Sequence, residues 1–119
     1  MTSNNTQIRK LTAIMFIDMV GYTAMMQKDE RKTQDLVKRQ RELIKPLVVK
    51  HSGEVLRYIG DGTLCTFRSA IEAVNCAVEI QKALKEEDEL NFRIGLHIGD
   101  IVFEGDDIYG DGVNVASRI

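Results

Sequence analysis

The chain has 119 residues, which is enough for one domain of ordinary size and too few for several. Its hydrophobic fraction of 44% and charged fraction of 29% are ordinary for a globular protein. The formal net charge of −2 argues against a nucleic-acid-binding protein, because such proteins usually present a basic face. No apolar run reaches the roughly 18 residues of a membrane span, and the N-terminal MTSNNTQIRK lacks the apolar segment of a secretory signal. We therefore expect a cytoplasmic protein whose two cysteines, Cys65 and Cys76, are free thiols.

After a polar lead-in over residues 1–10, the chain begins with a predicted strand and two helical segments. Residues 11–18 form an apolar run that indicates a strand buried on both faces, and residues 21–28 predict a turn with a short helix. Apolar residues then recur at helical spacing from about Arg31 to His51. Pro46 should kink this long helix or start a new turn.

A hairpin follows the long helix, which Gly53 is placed to end. Two short strands are predicted over residues 54–59 and 63–67. The segment Gly60-Asp61-Gly62 between them indicates a tight turn, because glycine adopts the backbone angles that such turns require.

The remaining chain predicts a second long helix and another strand. Ser69 and Glu72 have the spacing of a capping box at the start of the helix. The expected apolar side of this helix contains Ile71, Val74, Val78 and Leu84. Residues 91–103 alternate in polarity, as in a strand that places Ile94, Leu96 and Ile98 on one face. Residues 104–112 predict a loop, and residues 113–119 predict the start of a helix.

The order of elements favours an α+β fold. Strand, helix, hairpin, helix, strand and helix fit a ferredoxin-like βαββαβ sandwich, with a mixed sheet and helices on one face. Residues 113–119 begin a helix and stop without a cap or a polar tail. We therefore expect residues 11–119 to be part of a longer domain whose last strands are missing from this chain.

Two aspartates, Asp18 and Asp61, each lie where a predicted strand meets a glycine-containing turn. If the first strand lies beside the first strand of the hairpin, these turns approach each other. Two carboxylates within about 4–6 Å repel unless a proton or a cation lies between them. Carboxylates without His or Cys nearby in sequence favour Mg²⁺ or Mn²⁺ over zinc. Mg²⁺ that is bound by one or two carboxylates usually also binds substrate phosphates and water. Each aspartate alone fits a turn or cap residue equally well, but the pair favours a metal site.

Four stretches of the chain, taken together, resemble a known family. LTAIMFIDMVGYT, VLRYIGDGTLCTF, RIGLHIGDI and DIYGDGVNVASRI are similar, in order and spacing, to the class III adenylate/guanylate cyclase catalytic domain. The resemblance implies that Asp18 and Asp61 bind two metal ions, with help from the main-chain carbonyl of Met19. It also implies that a short backbone segment binds the triphosphate: Met19, Val20, Gly21, Tyr22 and Thr23.

The resemblance assigns four further residues to the nucleotide. Arg57 and Asp107 match the pair that recognises the purine. Asn114 and Arg118 match the pair that positions the ribose and stabilises the charge developing at the α-phosphate. An ionised Asp107 accepts and Arg57 donates, which suits the amino group and N1 of adenine and favours ATP over GTP. Members that use ATP usually have lysine in place of Arg57, so a guanylate cyclase stays open as an alternative.

The implied activity is that of a nucleotidyl cyclase, which uses two Mg²⁺ or Mn²⁺ ions to convert ATP into 3′,5′-cyclic AMP and pyrophosphate. Family members work as head-to-tail dimers with active sites at the interface, so we expect a homodimer. The sequence also fits a catalytically silent cyclase-homology module. A different two-metal enzyme such as a diguanylate cyclase fits less well, because the hairpin lacks a GGDEF-like sequence. Because the end of the family domain is missing, we expect residues 1–119 alone to have weak activity or none.

Overall fold

The computed structural model describes residues 7–86, 91–104 and 107–109, with side chains for residues 11–86 and 91–101. Its elements in chain order are β1 (Gln7–Met19), α1 (Tyr22–Lys28), α2 (Glu30–Lys50), β2 (Glu54–Ile59), β3 (Gly62–Phe67), α3 (Ala70–Leu84), β4 (Phe92–Glu104) and β5 (Asp107–Tyr109). The first strand starts four residues earlier than predicted. A short strand, β5, pairs with the end of β4 where a loop was predicted. None of the described helices is long and apolar enough to cross a membrane.

The described strands form one sheet in the order β2-β3-β1-β4-β5. This order over the first four strands confirms the predicted α+β, ferredoxin-like arrangement. The prediction that β1 lies beside the first hairpin strand is wrong, because β3 occupies that position. The crossover through α2 skips one strand position, which the second strand of the hairpin fills.

The expected mixed sheet is wrong for the described strands, which form an antiparallel sheet. Every neighbouring pair of described strands is antiparallel. Strands joined through a helix, such as β1 and β2, run parallel to each other but are separated by an antiparallel strand. The sheet therefore contains both directions and, among the described strands, no parallel neighbours.

The first strand is buried on both faces, as predicted. Alternate residues Ala13, Met15, Ile17 and Met19 pack in the main core, which contains the buried side chains of α2 and α3. On the opposite face, Ile14 packs with Leu64 and Ile101, and the partly exposed Phe16 packs against them. Side chains on a strand point alternately to the two faces, so Asp18 belongs to the face of Ile14 and Phe16.

The end of α2 differs in detail from the prediction. The helix continues through Pro46 to Lys50. Ser52, not Gly53, adopts the left-handed conformation, with φ of 62°. The Ser52 N–H donates to Val49 at 3.0 Å and the Gly53 N–H to Val48 at 2.8 Å, which is the Schellman pattern. Glycine is required at position 53 for another reason, because a Cβ there would lie 2.4 Å from the Phe67 ring.

The second long helix, α3, begins at the predicted cap, since the Ser69 hydroxyl accepts from the Glu72 N–H at 3.2 Å. Its predicted apolar side is wrong for three of four residues. Ile71 is 74% exposed, and Val74 and Val78 are also exposed. The buried side consists of Ala73, Cys76, Ile80 and Leu84. Both sets of residues recur at helical spacing. The exposed set was predicted to be buried because Ile71, Val74 and Val78 are larger and more hydrophobic than Ala73 and Cys76.

Both cysteines are free and buried, as predicted. Burial raises the pKa of the Cys65 thiol to about 12 and that of Cys76 to about 11. A thiol reacts as its thiolate, so these residues act as apolar core side chains near neutral pH.

The left-handed Ser52 gives a direct test of the α2 terminus. Ser52→Gly should raise the free energy of unfolding by about 0.5–1 kcal/mol, because glycine adopts this conformation without a Cβ penalty. The matched control, Ser69→Gly, should lower it by about 0.2–0.5 kcal/mol, since it removes a side-chain cap. Urea denaturation of both variants measures the difference. A loss of stability in Ser52→Gly would contradict the assigned helix end.

Candidate active site

Asp18 and Asp61 lie at one cavity of about 240 Å³. They come from distant parts of the sequence: Asp61 is 42 positions after Met19, the last residue of β1. Asp18 comes from β1, and Asp61 comes from the turn between β2 and β3. The cavity is lined by Asp18, Met19, Gly21, Tyr22, Thr23, Ala24, Asp61 and Arg93. The structure thus brings together the two predicted metal ligands and four of the five residues predicted to bind phosphates.

A main-chain hydrogen bond fixes the position of the Asp61 carboxylate. The Met19 N–H donates to its Oδ2 at 2.8 Å, and Met19 is only 2% exposed. A buried N–H without an acceptor is costly, so this bond ties the hairpin turn to the end of β1. Gly60 allows the turn to be this short, because it adopts a left-handed φ of 58°.

Two side chains from α2 hold the hairpin turn on its other side. The buried Gln40 donates from Nε2 to the main-chain carbonyl of Asp61 at 3.3 Å. Arg41 donates to the carbonyl of Gly60 at 2.9 Å, and its guanidinium lies 4.2 Å from the centre of the Tyr58 ring. Neither residue is recognisable as part of the site from the sequence, because nothing in the pattern of α2 indicates a partner on the hairpin.

Arg93 is a third residue at the site that the sequence does not predict. It lies directly opposite Asp18 in the β1–β4 pairing. Its Nε donates to Asp18 Oδ1 at 3.1 Å, and a terminal nitrogen donates to Oδ2 at 3.3 Å. The guanidinium therefore engages both carboxylate oxygens in a fork. Only the register between β1 and β4 could have identified this pair.

The backbone after β1 offers fewer phosphate donors than the five predicted. The Met19 N–H is bonded to Asp61, and the Val20 N–H donates to the Asn91 carbonyl at 2.9 Å. Tyr22 and Thr23 lie in the first turn of α1, where N–H groups have no acceptor within the helix. Gly21 precedes them with a left-handed φ of 75°, which favours glycine at this turn.

Arg57 lies on the site's face of the sheet because of a β-bulge. The β2–β3 register shifts between Val55 and Arg57, so that Arg57 pairs with Leu64. Leu64 in turn pairs with Phe16, which shares its face with Asp18. Uninterrupted alternation from Val55 through Leu56 would place Arg57 on the helix side instead. Two strand spacings, about 10 Å, separate β2 from β1, which contains Asp18.

The other predicted site residues are described only in part. The backbone of Asp107 begins β5 and pairs with Glu104. Asn114 and Arg118 lie outside the described residues.

The donor set at the cavity fits a hard divalent cation. Asp18 and Asp61 provide carboxylate oxygens, and the described residues contain no group of three or more His, Cys, Asp or Glu that could hold a metal. Mg²⁺ is commonly bound by one or two carboxylates together with substrate phosphates and water. The pair therefore suits an ion that binds with a phosphate-containing substrate better than an ion enclosed by protein alone.

The bond between Met19 and Asp61 can be tested by two replacements of the same residue. Asp61→Ala should lower the free energy of unfolding by about 1–2 kcal/mol, because the buried N–H loses its acceptor. Asp61→Asn retains an acceptor oxygen and should cost less than about 1 kcal/mol. Chemical denaturation compares the two. Equal losses would show that the bond does not stabilise the fold.

Comparison with known proteins adds a family to this geometry. The chain matches the family model for the adenylate and guanylate cyclase catalytic domain over residues 5–119. It is 44% identical to a Rhizobium meliloti protein provisionally named adenylate cyclase 3, over 93% of this chain and 20% of that protein. A crystal structure of an adenylate/guanylate cyclase/hydrolase from Silicibacter pomeroyi is 40% identical, with a TM-score of 0.85, over 95% of this chain and 70% of that chain.

A guanylyl cyclase domain from the aquatic fungus Blastocladiella emersonii shares the fold at 21% identity, with a TM-score of 0.80. That match covers 96% of this chain and 75% of the fungal chain. The present chain spans about a fifth of the length of its Rhizobium relative. Because the family match includes every described residue, this chain belongs to the family of adenylate and guanylate cyclase catalytic domains.

Proposed function

We propose that this chain forms part of an enzyme that converts ATP into 3′,5′-cyclic AMP and pyrophosphate. The observation that supports this most directly is the meeting of Asp18 and Asp61 at one cavity beside the first turn of α1. Family membership supplies the reaction class, and the cavity supplies the groups that such a reaction needs. The ribose 3′-hydroxyl attacks the α-phosphorus, and pyrophosphate leaves.

Asp18 and Asp61 would hold two Mg²⁺ or Mn²⁺ ions, together with the main-chain carbonyl of Met19. When bound, such ions lower the pKa of the attacking hydroxyl and neutralise charge on the phosphates. The backbone N–H groups of Gly21, Tyr22 and Thr23 would bind the phosphates, and the position of these residues at the cavity supports this role. Asp61 is held by Met19, so its carboxylate needs little rearrangement before binding.

Arg57 and Asp107 are proposed to recognise the base, and Asn114 and Arg118 to position the ribose and stabilise charge at the α-phosphate. We propose a head-to-tail homodimer, in which one chain supplies the metal ligands and its partner recognises the base; the placement of Arg57 two strands away from β1 supports this. A chain that contains both sets would then form two equivalent sites. Arg118 suits its role because a guanidinium donates planar, paired hydrogen bonds to a phosphoryl group.

GTP is the second candidate substrate. Arginine at position 57 departs from the lysine that the resemblance leads one to expect in an ATP-specific enzyme, and arginine and lysine are not interchangeable. The fold does not decide between them, because solved structures named as adenylyl and guanylyl cyclases both match this chain.

The metal role can be tested in the full-length gene product. Asp18→Asn keeps the side-chain shape but removes the charge, and cyclic nucleotide formation should fall at least about 100-fold. The matched control is Asp35→Asn on the exposed side of α2, which should retain full activity. Product is measured by chromatography with Mn²⁺ present. Retained activity in Asp18→Asn would contradict the proposed mechanism.

Base preference has a separate test. Turnover of ATP should exceed that of GTP by about tenfold with Mn²⁺, since one or two directed hydrogen bonds distinguish the bases. Arg57→Ala should reduce this ratio, because it removes one of the two groups proposed to recognise adenine. Faster turnover of GTP by the unaltered protein would assign it as a guanylate cyclase instead.

A further inference from the structure

We propose that Arg93 is a competing counter-ion for Asp18: its guanidinium must leave the carboxylate before a divalent cation binds there. Arg93 would thereby set the cation concentration at which the site fills. This inference rests on the metal role proposed for Asp18 and extends it to a residue of β4.

The geometry of the pair provides the first argument. Arg93 contacts both oxygens of Asp18, at 3.1 and 3.3 Å. These are the atoms that a metal ion would use, and a carboxylate has a single negative charge to share. A guanidinium beside a bound divalent ion would also repel it, since like charges a few ångströms apart interact unfavourably even in water.

The two carboxylates of the cavity differ in this respect. Asp61 is held by a neutral donor, the Met19 N–H, which does not itself neutralise the carboxylate charge. Asp18 is held by a cation. Two carboxylates at one cavity repel each other, and Arg93 offsets that repulsion through Asp18. A divalent cation would reduce this repulsion by binding both carboxylates. Arg93 and the cation therefore reduce the same repulsion, and only one of them can bind Asp18 at a time.

The exposure of the pair shows that the exchange is feasible. The side chain of Arg93 is 62% exposed and that of Asp18 is 23% exposed. Exposed ion pairs are weak, because water screens the attraction and a long side chain loses freedom when it is held. Arg93 can therefore move into solvent while its backbone stays paired with β1.

Binding of Mn²⁺ to the nucleotide-free chain tests the proposal without an activity assay, and both aspartates come from one chain. Arg93→Gln should bind Mn²⁺ about two- to tenfold more tightly than the unaltered chain, measured by the electron paramagnetic resonance signal of free Mn²⁺. Arg93→Lys keeps the charge but loses the fork, so its Mn²⁺ affinity should lie between those of the unaltered chain and Arg93→Gln. Arg68→Gln makes the same charge change at a pair with Glu72 on α3, and should leave the affinity unchanged.

Asp18→Asn separates this proposal from the proposed function. If Asp18→Asn weakens Mn²⁺ binding and Arg93→Gln strengthens it, both hold. If Asp18→Asn weakens binding but Arg93→Gln leaves it equal or weaker, Arg93 instead organises the site and the competition is refuted. If Asp18→Asn changes nothing, the metal role of Asp18 fails, and the counter-ion proposal fails with it. Circular dichroism of each variant confirms that the fold is retained.

Discussion

The hydrogen bond from the Met19 N–H to the Asp61 carboxylate joins the two parts of the site. It links the last residue of β1 to the turn at the tip of the β2–β3 hairpin. Gln40 and Arg41 restrain the same turn from α2, so the carboxylate depends on how that helix packs on the sheet. The packing of α2 on the sheet therefore helps to fix the position of the Asp61 carboxylate.

Much of the fold and half of the site could be predicted from the sequence. Asp18 and Asp61 were identifiable because each follows a strand and adjoins glycine, which are signals within a few residues. Arg93 lies 75 positions from Asp18, and Gln40 lies 21 positions from Asp61. Such pairs depend on strand register and helix placement, which local patterns do not determine. The residues that were not predicted are therefore those that hold the hairpin turn, Gln40 and Arg41, and the one that pairs with Asp18, Arg93.

Errors within single elements have a different origin. On α3, two sets of apolar residues both recur at helical spacing, and hydrophobicity favours Ile71 and Val74 over Ala73 and Cys76. The structure buries the smaller set, since Ala73 is 2% and Cys76 is 0% exposed. At the end of α2, Ser52 takes the left-handed conformation expected of Gly53, and Gly53 is needed instead because the Phe67 ring occupies the space where its Cβ would lie. On α3, tertiary packing selects between two locally acceptable faces of the helix.

The bulge in β2 interrupts the alternation of side chains between Val55 and Arg57. It therefore affects which face of the sheet each residue of β2 occupies. Many side chains could replace Leu56 without moving Arg57, because the register shift is a property of the backbone. Loss of that one residue would remove the bulge and leave Val55 opposite Cys65 and Arg57 opposite Leu64, on the faces that they have now. The face of Arg57 is thus set by its pairing with β3, and alternation counted along β2 from Val55 would assign it to the wrong side of the sheet.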